Sequence, residues 1–499
     1  MKSLSKSQYV RGNQCLKSLW LYRNRKDLQD PVDPFQQSIF HSGTAFGLLA
    51  MKRFAGGVLI HADHAHPEDA LAQTADAVAS GTKIIYEAAF LFEDVLVRAD
   101  VVTKNDNGTW DLTEVKSATK MNDVYLLDVA VQRHVMSGAG FPVAHARVAH
   151  ANPGYVRYGE LDLDKLFVVV DVTEASEPAL SEVPQRLGRM KVFADAPAAP
   201  EIGIGSHCAN PYPCDFEGNC WAHVPEYSVF NLAYAKMETK LDLFNRGVQL
   251  VHQVNPDFDN LTDKRTIKQV QIARLGKPYV DLEAIGSFLN GLRYPIAHLD
   301  FETDNPVIPP YDGLKPYQQM PFQASVRVQQ ERGGPLTEYG YLGDGLEDPR
   351  RDLIGFLSEH VPEQGHVLAY YKSFEGGRLK ELAQGPGVGN RGPQLLDMAA
   401  RLVDLADPFS KNWYTHPGFK GKWSIKNVLP ILVPTMTYAG LVIRDGTAAM
   451  AAYAELRDPK LDPARRAMLT EALKVYCGQD TMAMVKILEH LWAQVGVAA

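Results

Sequence analysis

The sequence predicts an α/β protein in which two α/β domains are joined by a helical bridge. In the N-terminal part, helical patterns precede three strand-like runs, which are followed by a helix and two more strands. Helical patterns with polar connections then run from about Tyr227 to Leu292, and a new apolar strand begins at Tyr294. We therefore expect domains at residues 1–225 and 294–499, with the bridge at 226–293.

Length and composition agree with this class of protein. The 499 residues suffice for about three domains of ordinary size. Hydrophobic residues make up 45% and charged residues 22%, which excludes a mostly disordered or collagen-like chain. The 51 Lys and Arg residues against 59 Asp and Glu give a net charge of −8, which excludes a wholly basic nucleic-acid coat but not a local basic groove.

Location follows from what the chain lacks. The N-terminal stretch has no apolar core of the kind found in a signal peptide, and no apolar run reaches the roughly 20 residues of a membrane span. Five cysteines are too few for a disulfide scaffold. We expect a cytoplasmic protein without a membrane segment, in which clustered cysteines indicate a metal site.

The elements of the first domain follow from hydrophobic periodicity. Helices are predicted at 36–54, 67–80 and 124–137, and strands at 83–92, 95–102, 109–115, 144–149 and 166–172. Because side chains alternate along a strand, Glu114 and Lys116 share one face, and Asp100 on the neighbouring strand can reach it.

Two carboxylates and a lysine on one face suit phosphodiester hydrolysis. Asp100 and Glu114 would hold Mg²⁺ or Mn²⁺, and Lys116 would position or activate the attacking water. On spacing alone, a solvated hairpin carrying a Glu/Lys pair is the alternative.

The same segment resembles the RecB-like branch of the PD-(D/E)xK nuclease superfamily. The resemblance rests, in chain order, on Glu87, Asp100, Glu114-x-Lys116 and Gln132. It implies a restriction-endonuclease-like fold with Asp100 and Glu114 as metal ligands. It also implies that Lys116 is the catalytic lysine and that Gln132 is a phosphate or active-site contact.

Two positions depart from that family. Gly43 is followed by Gly47 where the family often has Gly-x3-His, although His41 is nearby. The Gln-x3-Tyr pattern becomes Gln132-x3-Met136.

Three cysteines lie within thirteen residues, at Cys208, Cys214 and Cys220, with Cys15 far upstream. A loop that also contains Gly and Pro can fold its thiolates around one centre. Zinc is the ordinary metal for four thiolates, and a histidine can replace one cysteine. Here the candidate histidines are His207 and His223.

Cluster-bearing RecB-like nucleases place one cysteine before the nuclease core and three after it, an order that this chain matches. The resemblance implies a structural [4Fe-4S] cluster, with zinc as the alternative. Cys477 stands apart from the other four and is expected to be a buried thiol.

A second set of acidic residues lies in the C-terminal part. Asp300 and Glu302 share one face of an apolar strand. Glu375 follows a strand-like run and opens a helix, and Tyr476 and Asp480 share one helix face at i and i+4.

In this order the three motifs resemble those of the DnaQ-like DEDD exonucleases, which have the ribonuclease H fold. The resemblance implies 3′→5′ digestion, in which Tyr476 orients the attacking water. The residues implied to bind two Mg²⁺ are Asp300, Glu302, Glu375 and Asp480. The departure is Phe374-Glu375 in place of Phe-Asp, and Asp404 is a nearby structural or supporting carboxylate. A ribonuclease H fold that binds without cutting is the alternative.

The segment 411–426 (KNWYTHPGFKGKWSIK) has four lysines, interleaved aromatics and no acid. Such a segment suits single-stranded nucleic acid, because bases stack on aromatic rings and lysines pair with phosphates. Aromatics buried in the core are the alternative. The candidate contacts are Lys411, Lys420, Lys422, Trp423 and Lys426. The insertion from Pro306 to Gln323 is expected at the mouth of the C-terminal site.

Several motifs together resemble the bacterial domain-of-unknown-function 2779 family. They are LDFET, PYQQMPFQ, SFE, HPGFKGKWSIKNVLP and YCGQDTMAM. The family name supplies no function, so the expected chemistry rests on the two nuclease superfamilies.

The sequence therefore predicts a metal-dependent nuclease that acts on DNA in preference to RNA, on single strands or free ends. A nucleic-acid-binding scaffold with one or both sites inactive is the competing class, and a zinc-stapled adaptor is a third. No G-x4-GK[ST] phosphate loop occurs, so a helicase or other repair or defence partner would be a separate chain.

Overall fold

A computed structural model of the chain describes residues 3–62, 66–259 and 261–496. The protein is a mixed α/β structure with several sheets and, within these residues, 18 α-helices. It divides into two compact units. The first comprises Met1–His223 and Pro306–Gln318, and the second comprises Val224–Asn305 and Gln319–Ala499. The predicted bridge at 226–293 falls within the second unit, and the three-part division stays a prediction.

The first unit has one seven-stranded sheet. Its strands are β1 (Leu4–Ser5), β2 (Val58–Leu59), β3 (Ile84–Phe92), β4 (Val95–Lys104), β5 (Trp110–Lys116), β6 (Val143–Ala151) and β7 (Phe167–Asp171). Its helices are α1 (Lys6–Gln14), α2 (Leu16–Asn24), α3 (Pro34–Arg53), α4 (Pro67–Ala79), α5 (Asp123–Gly138), α6 (Leu163–Leu166), α7 (Glu177–Ala194) and α8 (Glu217–Cys220). Each helix and strand predicted for this part of the chain is present, with ends shifted by one or two residues.

The strand order of this sheet is β2-β3-β4-β5-β6-β7, and β1 pairs with β4. Strands β3, β4 and β5 form an antiparallel meander, whereas β6 is parallel to β5. A parallel pair needs a crossover, and α5 supplies it. Helix α5 buries Val129 and Val135 in the core that also contains Val97 and Leu112 of the sheet. The meander and α5 thereby fix the positions of the first candidate site.

The second unit contains the remaining elements. Its strands are β8 (Tyr279–Val280), β9 (Ile296–Asp304), β10 (Met320–Gln329), β11 (Leu336–Leu342), β12 (His366–Ala369), β13 (Leu402–Asp404) and β14 (Tyr414–Thr415). Its helices are α9 (Met237–Asn245), α10 (Lys264–Leu275), α11 (Leu282–Asn290), α12 (Arg350–His360), α13 (Lys372–Leu382), α14 (Gly392–Ala400), α15 (Asp407–Ser410), α16 (Ile425–Leu432), α17 (Gly446–Leu456) and α18 (Pro463–Gln494).

The main sheet of this unit has the order β11-β10-β9-β12-β13. Strands β9, β10 and β11 are antiparallel neighbours, whereas β9, β12 and β13 are parallel. Along β9, Leu299 and Phe301 enter the core, where Leu379 of α13 and Leu353 of α12 also lie. The alternate residues face the other side of the sheet. The carboxyl ends of the three parallel strands meet at one edge, where polar sites form in open α/β sheets.

No helix in the described parts of the chain combines the length and the apolar character that crossing a membrane requires.

Candidate functional site

The first candidate site lies where β4, β5 and α5 meet. The Glu114 side chain is buried, with 1% of the residue exposed. Its Oε1 lies 2.9 Å from Lys116 Nζ, and its Oε2 accepts a hydrogen bond of 2.8 Å from Gln132 Nε2. Asp100 Oδ2 accepts a hydrogen bond of 2.6 Å from the backbone N–H of Val115. The structure thus brings the four predicted residues of this site together.

Two further residues complete the site. Lys6 Nζ, at the start of α1, donates to both oxygens of Glu114 at 2.8 and 3.0 Å. Asp128 Oδ2 accepts a hydrogen bond of 2.5 Å from Lys116 Nζ. Asp128 stands one helical turn before Gln132, so helical spacing alone contained a signal for it. Lys6 is 108 residues from Glu114, and no local pattern indicates their contact.

The two carboxylates have opposite protonation tendencies. Burial favours the neutral form of Glu114, but the charges of Lys116 and Lys6 outweigh it and lower its pKa to about 2. Burial and the neighbouring Glu114 charge raise the pKa of Asp100 to about 7. Burial works against the charged Lys116, yet Glu114 and Asp128 hold the pKa of that lysine well above its usual value. The site therefore holds one firmly charged carboxylate beside one that titrates near neutrality.

Glu87 marks local strain beside this site. It lies inside β3 with a φ of 56°, in the left-handed region that non-glycine residues rarely adopt. Its Oε2 lies 3.6 Å from Arg98 Nε, and its charge contributes to the raised pKa of Asp100. Strained backbone persists where surrounding structure enforces it, and functional sites are the usual places.

The four predicted cluster cysteines line one cavity of the first unit. They are Cys15, Cys208, Cys214 and Cys220. Cys15 lies between α1 and α2, and its sulfur accepts from the backbone N–H of Ser18 at 3.5 Å. Burial raises the pKa of the Cys15 and Cys220 thiols. His207 also lines the cavity, with Nε2 3.8 Å from Cys208 Sγ.

The second candidate site lies at the carboxyl ends of β9 and β12. Asp300 and Glu302 stand on β9, Glu375 in the first turn of α13, and Asp480 on α18. Glu302, Glu375 and Asp480 are 6%, 3% and 7% exposed. Among the described residues, Glu375 Oε2 is buried without a hydrogen-bond partner.

Burial raises the pKa of every carboxyl in this group, and repulsion from other members adds to it for Asp300 and Glu302. Burial comes first for Asp300, followed by repulsion from Asp480 and Glu302, and its pKa lies well above the usual value. Burial, followed by repulsion from Asp480 and Glu375, likewise raises the pKa of Glu302 well above its usual value. Burial raises the pKa of Glu375 to about 8 and that of Asp480 to about 6. Clustered acids with raised pKa values are typical of sites that bind metal cations, because a cation offsets the repulsion among the carboxylates.

Two tyrosines and one lysine enclose these carboxylates. Lys426 Nζ on α16 lies 3.2 Å from the hydroxyl of Tyr476, and the Tyr438 hydroxyl donates to Asp480 Oδ1. Burial and the nearby carboxylates raise the pKa of both tyrosines. Lys426 was predicted as a nucleic-acid contact, and the structure places it against Tyr476. Tyr438 lies in a segment without regular structure, and the sequence offered no signal for it.

Cys477 is buried as predicted, and it also adjoins the second site. Its sulfur lies 3.8 Å from Asp300 Oδ2. Ligand atoms of Asp300, Glu302 and Cys477 all lie within 4.8 Å of one another, which makes these residues a possible metal-binding group.

Asp404 has a structural role at the end of β13. Its carboxylate accepts backbone N–H bonds from Tyr371 at 3.0 Å and Lys372 at 3.2 Å. It therefore secures the start of α13 at Lys372 and, with it, the position of Glu375 in the first turn of that helix. Its charge also contributes to the raised pKa of Glu375.

The basic segment 411–426 divides between surface and core. Lys411 pairs with Asp407 at 2.8 Å, and Lys420 pairs with Glu226. Tyr414 and Phe419 are buried, which is the core alternative to base stacking for those two rings. Lys422 and Trp423 line a narrow cavity of the second unit.

Trp423 belongs to a stack of three planar groups that we call the aromatic column. Its ring stacks on Tyr234 with centroids 5.4 Å apart and planes 14° apart. The guanidinium carbon of Arg265 lies 3.3 Å from the centre of the Tyr234 ring. Tyr234 is 43% exposed and has a φ of 60°. Neither Tyr234 nor Arg265 was singled out in the sequence, because both lie in the predicted bridge.

The fold and these sites define a mixed α/β protein with two carboxylate-lined sites and a four-cysteine cavity. Residues 297–424 match the family described as "Domain of unknown function (DUF2779)". The match confirms the predicted resemblance for that part of the chain. It includes Asp300, Glu302 and Glu375 and ends before Tyr476.

Two bacterial proteins are similar to longer parts of the chain. A Mycoplasma pneumoniae protein described as "Uncharacterized protein MG366 homolog" is 26% identical over 206 residues, which are 38% of this chain and 31% of the relative. A Ureaplasma parvum protein described as "Uncharacterized protein UU173" is 25% identical over 252 residues, 47% of this chain and 34% of the relative. The chain thus spans about a third of the length of these curated relatives.

Proposed function

We propose that the protein is a metal-dependent nuclease that hydrolyses phosphodiester bonds of DNA, with a 3′→5′ exonuclease-type site in the second unit. One observation carries the proposal. Four carboxylates of the second unit, on three separate elements, all have raised pKa values because they are shielded from water, and repulsion from neighbouring carboxylates adds to this for Asp300 and Glu302. The basic side chains beside the group are Lys426 and Arg378. A divalent cation is the ligand that such an arrangement of oxygens accommodates.

The strand order of the second unit supports a ribonuclease H-like fold. Counted along the chain, its five main strands lie in the order 3-2-1-4-5, with the first three antiparallel and the last two parallel to the first. The acids occupy the first strand, the helix after the fourth strand and the final helix. These are the positions that the resemblance to DEDD exonucleases implies.

Different residues of the second unit would bind the metal ions, orient the attacking water and hold the nucleic-acid strand. Asp300, Glu302, Glu375 and Asp480 would hold the metal ions. When bound, such ions activate water and stabilise the leaving oxygen of an in-line displacement. The Tyr476 hydroxyl would orient the attacking water, and the Lys426 ammonium fixes the position of that hydroxyl. The aromatic column and Lys422 would hold a single strand by stacking and by phosphate contact.

The first unit supports a second, RecB-like site. Its order of helix, three-stranded meander, helix and parallel strand is the arrangement that the PD-(D/E)xK resemblance implies. Asp100 and Glu114 would bind the metal, with Lys116 as the catalytic lysine and Gln132 as a further contact. The convergence of these four side chains on two strands and one helix supports this role.

We propose that the four-cysteine cavity binds an iron–sulfur cluster, with zinc as the alternative. Thiolates around one zinc lie about 3.8 Å apart, because each Zn–S bond is about 2.3 Å. Within the described residues, the one set of three metal-ligand atoms lying within 4.8 Å is that of Asp300, Glu302 and Cys477. Among the described residues, no three of the four cavity sulfurs therefore lie within 4.8 Å of one another, so their spread exceeds that of a zinc site. A [4Fe-4S] cluster suits that spread, since each of its thiolates binds a different iron.

Digestion of end-labelled oligonucleotides with Mg²⁺ or Mn²⁺ tests the proposal. Asp300→Asn should slow 3′→5′ digestion on the order of 100-fold or more, as the loss of one group that stabilises charge in the transition state does. Asp352→Asn, which changes an exposed aspartate of α12, is the matched control and should cut like wild type. Lys116→Met should leave 3′→5′ digestion intact and remove a separate cleavage.

The alternatives give different results in the same assay. Salt-sensitive binding of strands without cleavage by the wild type would identify a scaffold. Neither binding nor cleavage would identify a protein adaptor. Comparing DNA and RNA oligonucleotides of the same sequence identifies the preferred substrate. Comparing oligonucleotides blocked at the 5′ end with those blocked at the 3′ end identifies the direction of digestion.

A further inference from the structure

Lys6 is the one cation of the first site that comes from outside its sheet and crossover helix. It is the first residue of α1, which begins with a capping box between Ser5 and Gln8. Its ammonium donates to both oxygens of Glu114, at 2.8 and 3.0 Å. The lysine side chain remains 21% exposed, whereas that of Glu114 is 2% exposed.

The Glu114 carboxylate is fully engaged by donors. A carboxylate offers about four lone-pair directions. Lys6 and Lys116 occupy Oε1, while Lys6 and Gln132 occupy Oε2. A divalent cation binds through an oxygen lone pair, so Glu114 can become a metal ligand only when one of these donors leaves.

The three donors are not equally fixed. Gln132 is 0% exposed, and its Nε2 also donates to the Asp128 carbonyl at 3.0 Å. Lys116 is held by Asp128 at 2.5 Å and lies 5.3 Å from the centre of the Tyr125 ring. In the described part of the chain, the hydrogen bonds of the Lys6 ammonium go to Glu114 alone. Lys6 is therefore the donor whose departure breaks the fewest other contacts.

We propose that the Lys6 ammonium and a divalent cation compete for Glu114, so that Lys6 is a displaceable counter-ion that limits metal binding at the first site. The proposal rests on the assignment of Asp100 and Glu114 as metal ligands. Competition lowers the apparent affinity for the metal, because the metal must first displace a bound cation. Once displaced, the ammonium would be available to pair with an anionic substrate such as a phosphodiester.

Metal binding, rather than cleavage, tests the competition. The parent protein for this test is the full-length chain with Asp300→Asn and Glu302→Gln, two substitutions that remove metal ligands from the second site. Mn²⁺ binding at the first site is then measured by electron paramagnetic resonance at fixed pH. In this background, Lys6→Met should tighten Mn²⁺ binding at least tenfold, since it keeps the stem and removes the competing charge. Lys6→Arg keeps the charge and should bind Mn²⁺ like the parent.

Lys83→Met is the matched control, because Lys83 also pairs with a carboxylate, Asp106 at 3.3 Å, on the surface of the same unit. It should leave Mn²⁺ affinity unchanged. Unchanged or weaker binding in Lys6→Met would overturn the competition. If Lys6→Met does not fold, Lys6→Gln gives the same decision. The proposed function can fail in the cleavage assay while this proposal holds, since affinity for Mn²⁺ is read without a nucleic acid.

Discussion

Glu375→Gln isolates the electrostatic cost of the second site. In the folded, metal-free chain burial raises the pKa of Glu375 to about 8, against an ordinary value of 4.5. The folded state therefore keeps a proton that the unfolded state releases, and stability falls as pH rises from 4.5 to 8. The difference corresponds to roughly 1 kcal/mol at pH 5 and roughly 3 kcal/mol at pH 7. Glutamine is neutral in both states and removes this penalty.

Thermal unfolding in the presence of a chelator measures the effect. At pH 7 the melting temperature of Glu375→Gln should exceed that of wild type by roughly 5–10 °C, and at pH 5 the difference should shrink to roughly a third of that. Added Mn²⁺ should stabilise wild type more than the variant, because the variant loses one anionic ligand. Glu359→Gln, on the exposed face of α12, is the control and should follow wild type at both pH values. Parallel pH profiles for wild type and Glu375→Gln would refute the reasoning.

Two further predictions concern the cysteine cavity and the aromatic column. Protein purified without oxygen should be brown and contain iron, and the Cys15→Ser variant should lose both the colour and the iron. A colourless wild-type protein that contains stoichiometric zinc would contradict the iron–sulfur cluster. In the Asp300→Asn background, Trp423→Leu should weaken single-stranded DNA binding roughly tenfold in fluorescence anisotropy, because one stacked base contributes about 1–3 kcal/mol. Phe258→Leu, an exposed ring with an arginine nearby, should bind like the parent, and an equal loss in both variants would contradict a specific stack.

Strand and helix periodicity predicted the site residues that lie close together along one element or one hairpin. Alternation along β5 places Glu114 and Lys116 on one face, and the hairpin brings Asp100 beside them, so their proximity followed from spacing. The same holds for Tyr476 and Asp480 on one face of α18. The elements of the first unit were likewise predictable, because hydrophobic periodicity marks them.

Contacts between distant parts of the chain were not predictable from one sequence. The pairing of Lys6 with Glu114 depends on where α1 packs, which no motif records. Tyr438 and Tyr234 reach their sites from irregular segments, so no periodicity identifies their direction. Lys426 was grouped with its neighbours as a nucleic-acid contact because the segment combines lysines with aromatic residues, whereas the packing of α16 turns it toward Tyr476.

The return of the chain into the first unit at 306–318 decides how the protein can be dissected. Val307 packs in a core cluster with Phe46, and Arg157 donates to the carbonyls of Pro309 and Pro310. The Tyr317 hydroxyl donates to the carbonyl of the residue that follows Lys116. A fragment ending at residue 223 would expose this apolar surface and lose a contact beside the first site. The two sites are therefore better separated by point variants of the intact chain than by truncation. Proteolytic cleavage within 306–318 should destabilise the first unit.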